Sequence, residues 1–166
     1  MKRIHQILLA IIFACLGLLG FALYLQIAKD MLPCPLCVAQ RYAFVGIALA
    51  ALLALCLPQK FKRWLIAAGT GAAAYGVSVA IEHVNVLNHP GLSCGVDPLE
   101  TALNKMTLSE WLPILFRANG LCDAPYPPIL GLAIPEWALV WFVIFILLFI
   151  WAFLQPAPRS MFHERL

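Results

Sequence analysis

The spacing of its cysteines is the most informative feature of this chain. There are six, and two of them form the motif Cys34-Pro35-Leu36-Cys37. A disulfide across two intervening residues closes a very small loop, so it removes little entropy from the unfolded chain. The same spacing is typical of pairs whose thiolate pKa and reduction potential are tuned for thiol–disulfide exchange. The motif therefore predicts redox chemistry rather than a structural crosslink.

A second pair, Cys94 and Cys122, is separated by 27 residues. In an oxidising compartment these two cysteines could form a stabilising bridge or a second redox-active disulfide, and their spacing leaves both open. A structural zinc site usually takes four ligands, often from two Cys-x-x-Cys motifs, and the wide second pair does not fit that pattern. We therefore predict no metal site. Cys15 and Cys56 lie within apolar segments, where a cysteine usually acts as a small apolar side chain.

The residues around the first pair favour a reactive thiolate. Pro33 and Pro35 restrict the backbone on either side of Cys34 and oppose helix there, which predicts a stiff, exposed loop. Cys37 lies where the second apolar segment begins, and a helix N-terminus stabilises a thiolate. Arg41 follows four residues later on the same helical face. It could stabilise the Cys37 thiolate, hold the carbonyl oxygen of an electron acceptor, or bind lipid phosphate.

Glu82 and His83 end the third apolar segment at a depth similar to that of Arg41. An ionisable residue at this depth is costly and is a candidate for function. His83 could handle a proton or donate a hydrogen bond, or it could be an interfacial histidine paired with Glu82 or water.

Four apolar segments must position these side chains. They cover about residues 7–28, 38–57, 64–82 and 136–154, in a chain that is 63% hydrophobic and only 11% charged. Each has about the 20 residues that a helix needs to cross a bilayer. The chain is therefore predicted to be an all-α membrane protein, with residues 1–166 forming one antiparallel four-helix bundle covered by lipid. A cleaved signal peptide is a less favoured interpretation of the first segment, and no basic stripe suggests a nucleic acid partner.

The distribution of lysine and arginine predicts the orientation. Seven basic residues flank the predicted inner ends of the spans: Lys2, Arg3, Lys60, Lys62, Arg63, Arg159 and Arg165. The positive-inside bias makes this side cytoplasmic, so both termini are expected in the cytoplasm. The outer segments are then about residues 29–37 and 83–135, which hold all four paired cysteines.

The long outer segment contains seven prolines and should be mostly irregular and mobile. Thr107 and Glu110 have the spacing of a capping box, which predicts a short helix running on to about Phe116. Its apolar face would lie on the membrane surface or cover the top of the bundle.

Several motifs follow one another in a fixed order along nearly the whole chain. They are Leu32-Pro33-Cys34-x-x-Cys37 with Arg41, Glu82-His83, the Cys94 and Cys122 pair, Glu110-Trp111-Leu112-Pro113, and Gly131-Leu132-x-x-Pro135-x-Trp137. Each motif is weak alone, whereas the ordered set is highly specific. Together with the four spans, this set resembles the DsbB family of quinone-linked disulfide-forming membrane proteins.

The resemblance implies a relay of disulfide exchanges. A reduced DsbA-type partner would form a mixed disulfide with Cys94 and release Cys122. Cys122 would then attack Cys34, and Cys37 would leave as a thiolate beside a quinone.

The resemblance also implies where the electrons go. Arg41 would orient the quinone, either ubiquinone or menaquinone, and His83 matches the histidine that the family carries near this site. The expected location is the bacterial inner membrane, with the redox cysteines in the periplasm and the respiratory quinone pool as the sink.

The sequence departs from better-known members at two positions. Gln40 replaces a glutamate before the arginine, and Pro35 lies inside the redox pair. Three alternatives remain beside the main interpretation: a paralogue dedicated to one thiol oxidase, a vitamin K epoxide reductase type of protein, and a non-catalytic scaffold stapled by disulfides. The order of cysteines and spans argues against the second of these.

Overall fold

A computed structural model describes residues 2–89, 98–124 and 126–155. Within them the chain forms seven helices and no strand: α1 (Lys2–Ala28), α2 (Pro35–Cys56), α3 (Gln59–Asn88), α4 (Pro98–Asn104), α5 (Thr107–Trp111), α6 (Pro113–Phe116) and α7 (Ile134–Leu154). The four long helices are each long and apolar enough to cross a membrane. This arrangement confirms the predicted all-α bundle with four spans.

The long helices differ from the predicted spans mainly at their ends. α1 begins at Lys2 rather than near residue 7, and α3 continues to Asn88, beyond the predicted end at residue 82. Helical hydrogen bonds do not depend on apolar side chains, so a helix can continue past the bilayer core into the aqueous interface. α2 and α3 are joined by only Leu57 and Pro58 and pack against each other, as the short turn predicts.

The core of the bundle is built from aromatic side chains of α7 and small residues of α3. Phe142, Phe145 and Phe149 are fully buried. A Cβ atom at Gly76 would collide with the ring of Phe142, and one at Gly69 would collide with Phe149. These two glycines let α7 approach α3 closely, which is how small residues act between membrane helices. These two contacts fix α7 against the middle of α3.

The predicted short helix after Thr107 is broken into two pieces. The capping box is wrong, since Met106 is the N-cap of α5 and makes no side-chain cap, while Ser109 donates to the carbonyl of Asn104. Pro113 starts α6 because a proline cannot continue the hydrogen-bonding of α5. In the described part of the outer segment, α4, α5 and α6 cover residues 98–104, 107–111 and 113–116, which is more helix than the prolines predict.

The two pieces face different surroundings. The ring of Phe116 in α6 is buried and stacks on Tyr42 of α2, with 4.5 Å between ring centroids. Trp111 in α5 is 81% exposed, and Leu108 and Leu112 are also exposed. α6 thus covers the bundle, while α5 presents an apolar face outward.

A tight turn leads into α7. Ile129 and Leu132 form an isolated β-bridge around Leu130 and Gly131, both with positive φ. The indole Nε1 of Trp137 donates a 2.9 Å hydrogen bond to the carbonyl of Ile129. The turn is thereby fixed to the first turn of α7.

Candidate active site

Cys34 is the N-cap residue of α2. Its backbone is extended, Pro35 occupies the first helical position, and its Sγ accepts a 3.3 Å hydrogen bond from the backbone N–H of Cys37. Its side chain is only 1% exposed, so the prediction of an exposed loop is wrong. The flanking prolines restrict the backbone conformation of Cys34, but the exposure of its side chain depends on the segments that pack over it. Cys34 lies in a buried cluster with Val79, Val86 and Cys122.

Cys34 and Cys37 are free thiols whose Sγ atoms lie 3.2 Å apart, with Cys34 as the donor. A disulfide needs about 2.05 Å between sulfurs, so a small movement would join them. The hydrogen bond to Cys37, followed by burial, raises the pKa of the Cys34 thiol far above its ordinary value. In the reduced pair Cys34 therefore holds its proton and offers it to the sulfur of Cys37.

His83 lies against Cys34 rather than in the interface. Its Nε2 is 3.7 Å from the Sγ of Cys34, and its Nδ1 is 3.4 Å from Nε2 of Gln40. The ring also forms a hydrogen bond with the backbone of Cys122. His83 is 4% exposed, whereas its neighbour Glu82 is exposed, so the side chain is directed into the site by α3. The histidine therefore contacts both redox segments.

Cys122 is buried and disulfide-bonded. Its predicted partner, Cys94, lies outside the described residues. The preceding residues dock on the loop that carries Cys34: the backbone N–H groups of Asn119 and Gly120 each donate a 3.0 Å hydrogen bond to the carbonyl of Pro33. We call these two hydrogen bonds the Pro33 clasp.

Two further contacts support the Pro33 clasp. Asn104 of α4 forms a reciprocal amide pair with Ala118, donating to its carbonyl at 3.1 Å and accepting from its N–H at 2.9 Å. The phenol of Tyr126 donates a 3.4 Å hydrogen bond to the carbonyl of Leu32. A Cβ atom at Gly120 would collide with that same carbonyl, so only glycine allows this approach.

Arg41 is held by the side chain of Gln26 in α1 and by the carbonyls of Ile114 and Leu115 in α6, that of Ile114 at 3.5 Å. Its Nη1 donates 2.9 Å hydrogen bonds to Oε1 of Gln26 in α1 and to the carbonyl of Leu115 in α6. It is only 6% exposed, which disfavours the lipid phosphate interpretation. Its Nη2 and Nε make no hydrogen bond within the described residues, and the side chain lines a cavity.

That cavity, of about 550 Å³, lies among α1, α2, α7 and the outer loops. Its polar lining groups include those of the redox site: Cys34, Cys37, Gln40, Arg41, His83 and Cys122, together with Tyr126. Its walls are mostly apolar: Leu18, Phe21, Leu25, Phe44, Trp137 and Trp141 are among them. A mostly apolar cavity of this volume with a few polar groups suits an apolar small molecule that carries a polar group.

Residues 4–152 match the family model described as "Disulfide bond formation protein DsbB". The chain belongs to the DsbB family. Curated relatives named "Disulfide bond formation protein B" agree with this. The protein of Herminiimonas arsenicoxydans is 48% identical over 144 residues, covering 87% of this chain and 91% of the relative. That of Ralstonia nicotianae is 44% identical over 158 residues, covering 95% and 98%.

As a member of the DsbB family, the chain is a disulfide oxidoreductase and a multi-pass inner-membrane protein. Of the four cysteines that the sequence predicts to be redox-active, Cys34, Cys37 and Cys122 lie together in the structure. The fourth, Cys94, lies outside the described residues. Cys15 is buried in the bundle core and Cys56 is exposed at the end of α2, both as free thiols.

Three residues contribute to this DsbB-family site although the sequence does not identify them as site residues. Gln26 interrupts an otherwise apolar first span, and a polar side chain at that depth signals a buried partner. Gln40 is marked in the sequence only as a departure from family members, and in the structure it contacts His83. No local sequence signal identifies Gly120. Glycine is required there because the carbonyl of Leu32, 88 positions earlier in the chain, leaves no room for a Cβ atom.

Proposed function

We propose that this protein oxidises a periplasmic DsbA-type dithiol and passes the electrons to a membrane quinone. The observation that carries the proposal is that Cys34, Cys37 and Cys122 lie together beside an apolar cavity that also contains Arg41. A relay requires two pairs within bonding reach of each other, and a lipid-soluble acceptor requires an apolar site next to the second pair.

The first exchange transfers the partner's electrons to the outer pair. A thiolate of the partner attacks Sγ of Cys94, the Cys94–Cys122 bond breaks, and Cys122 leaves as a thiolate. The partner's second thiol then resolves the mixed disulfide, which leaves an oxidised partner and a thiolate at Cys94.

The second exchange transfers those electrons to the inner pair. The Cys122 thiolate attacks Sγ of Cys34 and the Cys34–Cys37 bond breaks, so Cys37 leaves as a thiolate at the start of α2. The Cys94 thiolate then attacks Cys122, which restores the outer disulfide and leaves Cys34 and Cys37 reduced. The helix N-terminus favours the negative charge on Cys37.

His83 assists the sulfur of Cys34 during these exchanges. Its Nε2 lies 3.7 Å from that sulfur and its other nitrogen contacts Gln40, so the ring is oriented on both sides. From this position it can donate to a developing thiolate or accept the thiol proton.

The cavity residues fit a quinone on the chemistry of their side chains. The Nη2 and Nε groups of Arg41 make no hydrogen bond in the described part of the chain, so they can donate to a carbonyl oxygen. Gln26 and Leu115 hold the guanidinium in place. A quinone bound there would accept the two electrons released as Cys34 and Cys37 form their disulfide, with one proton from the Cys34 thiol and one from water.

The energetics of the relay favour such a sink. DsbA is strongly oxidising, at about −120 mV, and every 30 mV of this two-electron couple is about 1.4 kcal/mol. Reoxidising it requires an acceptor with a still higher potential, and a quinone pool kept oxidised by respiration provides one.

The test is to mix purified protein with a reduced DsbA-type partner and a soluble quinone analogue and to follow quinone absorbance. We expect turnover with the wild type and none with Cys37→Ser, although Cys94 of that variant should still capture the partner in a mixed disulfide. A scaffold would give neither turnover nor a mixed disulfide, and turnover in Cys37→Ser would contradict the assigned order.

A further inference from the structure

The reduced site contains three groups that bind soft metal ions. The Sγ atoms of Cys34 and Cys37 and a ring nitrogen of His83 all lie within 4.8 Å of one another. In a tetrahedral zinc site, with Zn–S near 2.3 Å and Zn–N near 2.0 Å, neighbouring ligand atoms are about 3.5 to 3.8 Å apart. The measured separations of 3.2 Å between the sulfurs and 3.7 Å between Cys34 and His83 are close to this.

We propose that the reduced Cys34–Cys37 pair and His83 form a binding site for Zn²⁺ or another soft d¹⁰ cation. Binding would displace the two thiol protons and transfer no electrons, so both sulfurs stay reduced as metal-bound thiolates. The site differs from a structural zinc site because the disulfide form of the pair cannot bind the ion.

The charge balance suits the buried position. Two thiolates and one divalent cation are neutral together, so the complex does not leave a net charge in the apolar cluster that contains Cys34. The third ligand comes from a different helix, since His83 lies on α3 and the cysteines lie at the start of α2. The ligand set is therefore fixed by the packing of the bundle.

Gln40 is suited to orient the histidine. Metal-bound histidines usually donate their other N–H to an oxygen acceptor. The side-chain amide of Gln40 lies 3.4 Å from Nδ1 of His83, and an amide can rotate to present its oxygen there. With Nδ1 protonated, the lone pair of Nε2 is directed at the side of Cys34, where the ion would bind.

The cavity provides a route of entry and an open coordination position. It contains both sulfurs and His83 in its lining, so an ion held by three protein ligands can take water or a small ligand as its fourth. An ion bound between the sulfurs also prevents them from forming their disulfide. Soft metal ions should therefore stop the protein in its reduced form.

Cadmium is the probe, since its bond to thiolate gives an ultraviolet charge-transfer band. Protein in which serine replaces Cys15, Cys56, Cys94 and Cys122 is reduced, freed of reductant and titrated with Cd²⁺. We expect the band to saturate at a single equivalent, Zn²⁺ to suppress it, and the oxidised protein to show none. A missing band, or an equal band in the oxidised protein, would overturn the proposal.

Variants locate the third ligand. His83→Ala should weaken Cd²⁺ binding strongly, and Gln40→Leu should weaken it by about tenfold, the size typical of losing a group that orients a metal ligand. His89→Ala is the matched control, because His89 is exposed at the end of the same helix. Equal affinity in His83→Ala and His89→Ala would remove the histidine from the site.

A second measurement uses the wild-type chain, in case the serine variant does not fold. Zn²⁺ should protect Cys34 and Cys37 of the reduced protein from alkylation, while the exposed Cys56 should be labelled at an unchanged rate. Failure to protect Cys34 and Cys37 would contradict the site. Neither measurement uses a partner or a quinone, so the outcome is independent of the proposed relay.

Discussion

The backbone N–H of Gly120 donates a 3.0 Å hydrogen bond to the carbonyl of Pro33. This contact joins the segment before Cys122 to the residue before Cys34, across 87 positions of sequence. By joining these two segments, it helps to hold Cys34 and Cys122 in one buried cluster. In the proposed relay, the Pro33 clasp would therefore hold Cys122 in reach of Cys34.

Gly120→Ala should disrupt the Pro33 clasp, because the added Cβ would collide with the carbonyl of Leu32. We expect kcat for partner oxidation to fall by roughly tenfold or more, since displacements of about 1 Å between reacting groups have effects of that size. The KM for the partner should change little, because the proposed relay places its capture at Cys94. Steady-state turnover and thiol trapping measure the two effects.

Gly17→Ala is the control for this substitution. Gly17 lies in α1, and a Cβ atom added there would meet no atom within 4 Å, so turnover should stay at the wild-type rate. If Gly120→Ala also turned over normally, the Pro33 clasp would have no part in positioning Cys122.

Removing Gln26 should weaken quinone use without removing the cation. Gln26→Leu deletes the 2.9 Å hydrogen bond that holds Nη1 of Arg41. A hydrogen bond to a charged group is worth about 1.5 to 3 kcal/mol, so the apparent KM for a soluble quinone should rise by about tenfold or more. Arg41→Ala should raise this KM further.

Gln6→Leu is the control, because Gln6 is exposed near the start of α1, and it should leave the KM for quinone unchanged. An unaltered KM in Gln26→Leu would show that Gln26 has no part in the acceptor site.

Alkylation of Cys34 in the reduced protein should keep accelerating as the pH rises. The hydrogen bond to Cys37 and burial raise the pKa of the Cys34 thiol, and only the thiolate reacts. At pH 7 Cys34 is therefore a thiol, and its reaction rate should still be climbing above pH 8.5, where an unstructured cysteine peptide begins to level off at about its own pKa. Mass spectrometry of the labelled peptides gives the rate at Cys34 alone, and a plateau below that pH would contradict the raised pKa.

Gly76→Val should destabilise the bundle, because a side chain there meets the buried ring of Phe142. Overpacking a well-packed core costs about 1 to 3 kcal/mol. Gly71→Val introduces the same residue on the same helix where nothing lies within 4 Å. Thermal unfolding in detergent should show a lower transition temperature for Gly76→Val than for Gly71→Val. Equal transition temperatures would mean that α7 can move away from Gly76 without a loss of stability.

The four spans and the redox motif could be predicted from sequence because each is a local signal. A run of apolar residues determines a membrane helix almost alone, and the Cys34 to Cys37 spacing needs no other part of the chain. The burial of Cys34 could not be predicted in this way. It depends on the segment of Cys122 and on α3, and proline positions carry no information about what packs above them.

The contacts that complete the site depend on pairing between distant segments. The sequence predicts that Arg41 stabilises a thiolate, holds a carbonyl oxygen or binds lipid phosphate. Nothing in the sequence specifies that Gln26 and Leu115 hold it. The helix expected from Thr107 failed for a different reason. The spacing of Thr107 and Glu110 matched a capping box, but Met106 took the cap position and Pro113 divided the helix.

The enclosure of Cys34 also bears on selectivity between thiols. With 1% of its side chain accessible, the sulfur of Cys34 is reached through the cavity that it lines, a route too narrow for a folded thiol protein. Cys122 is already inside that shield, in contact with the same apolar neighbours. In the proposed relay, this enclosure would let the Cys34–Cys37 disulfide accept electrons from Cys122 in preference to the thiols of other proteins.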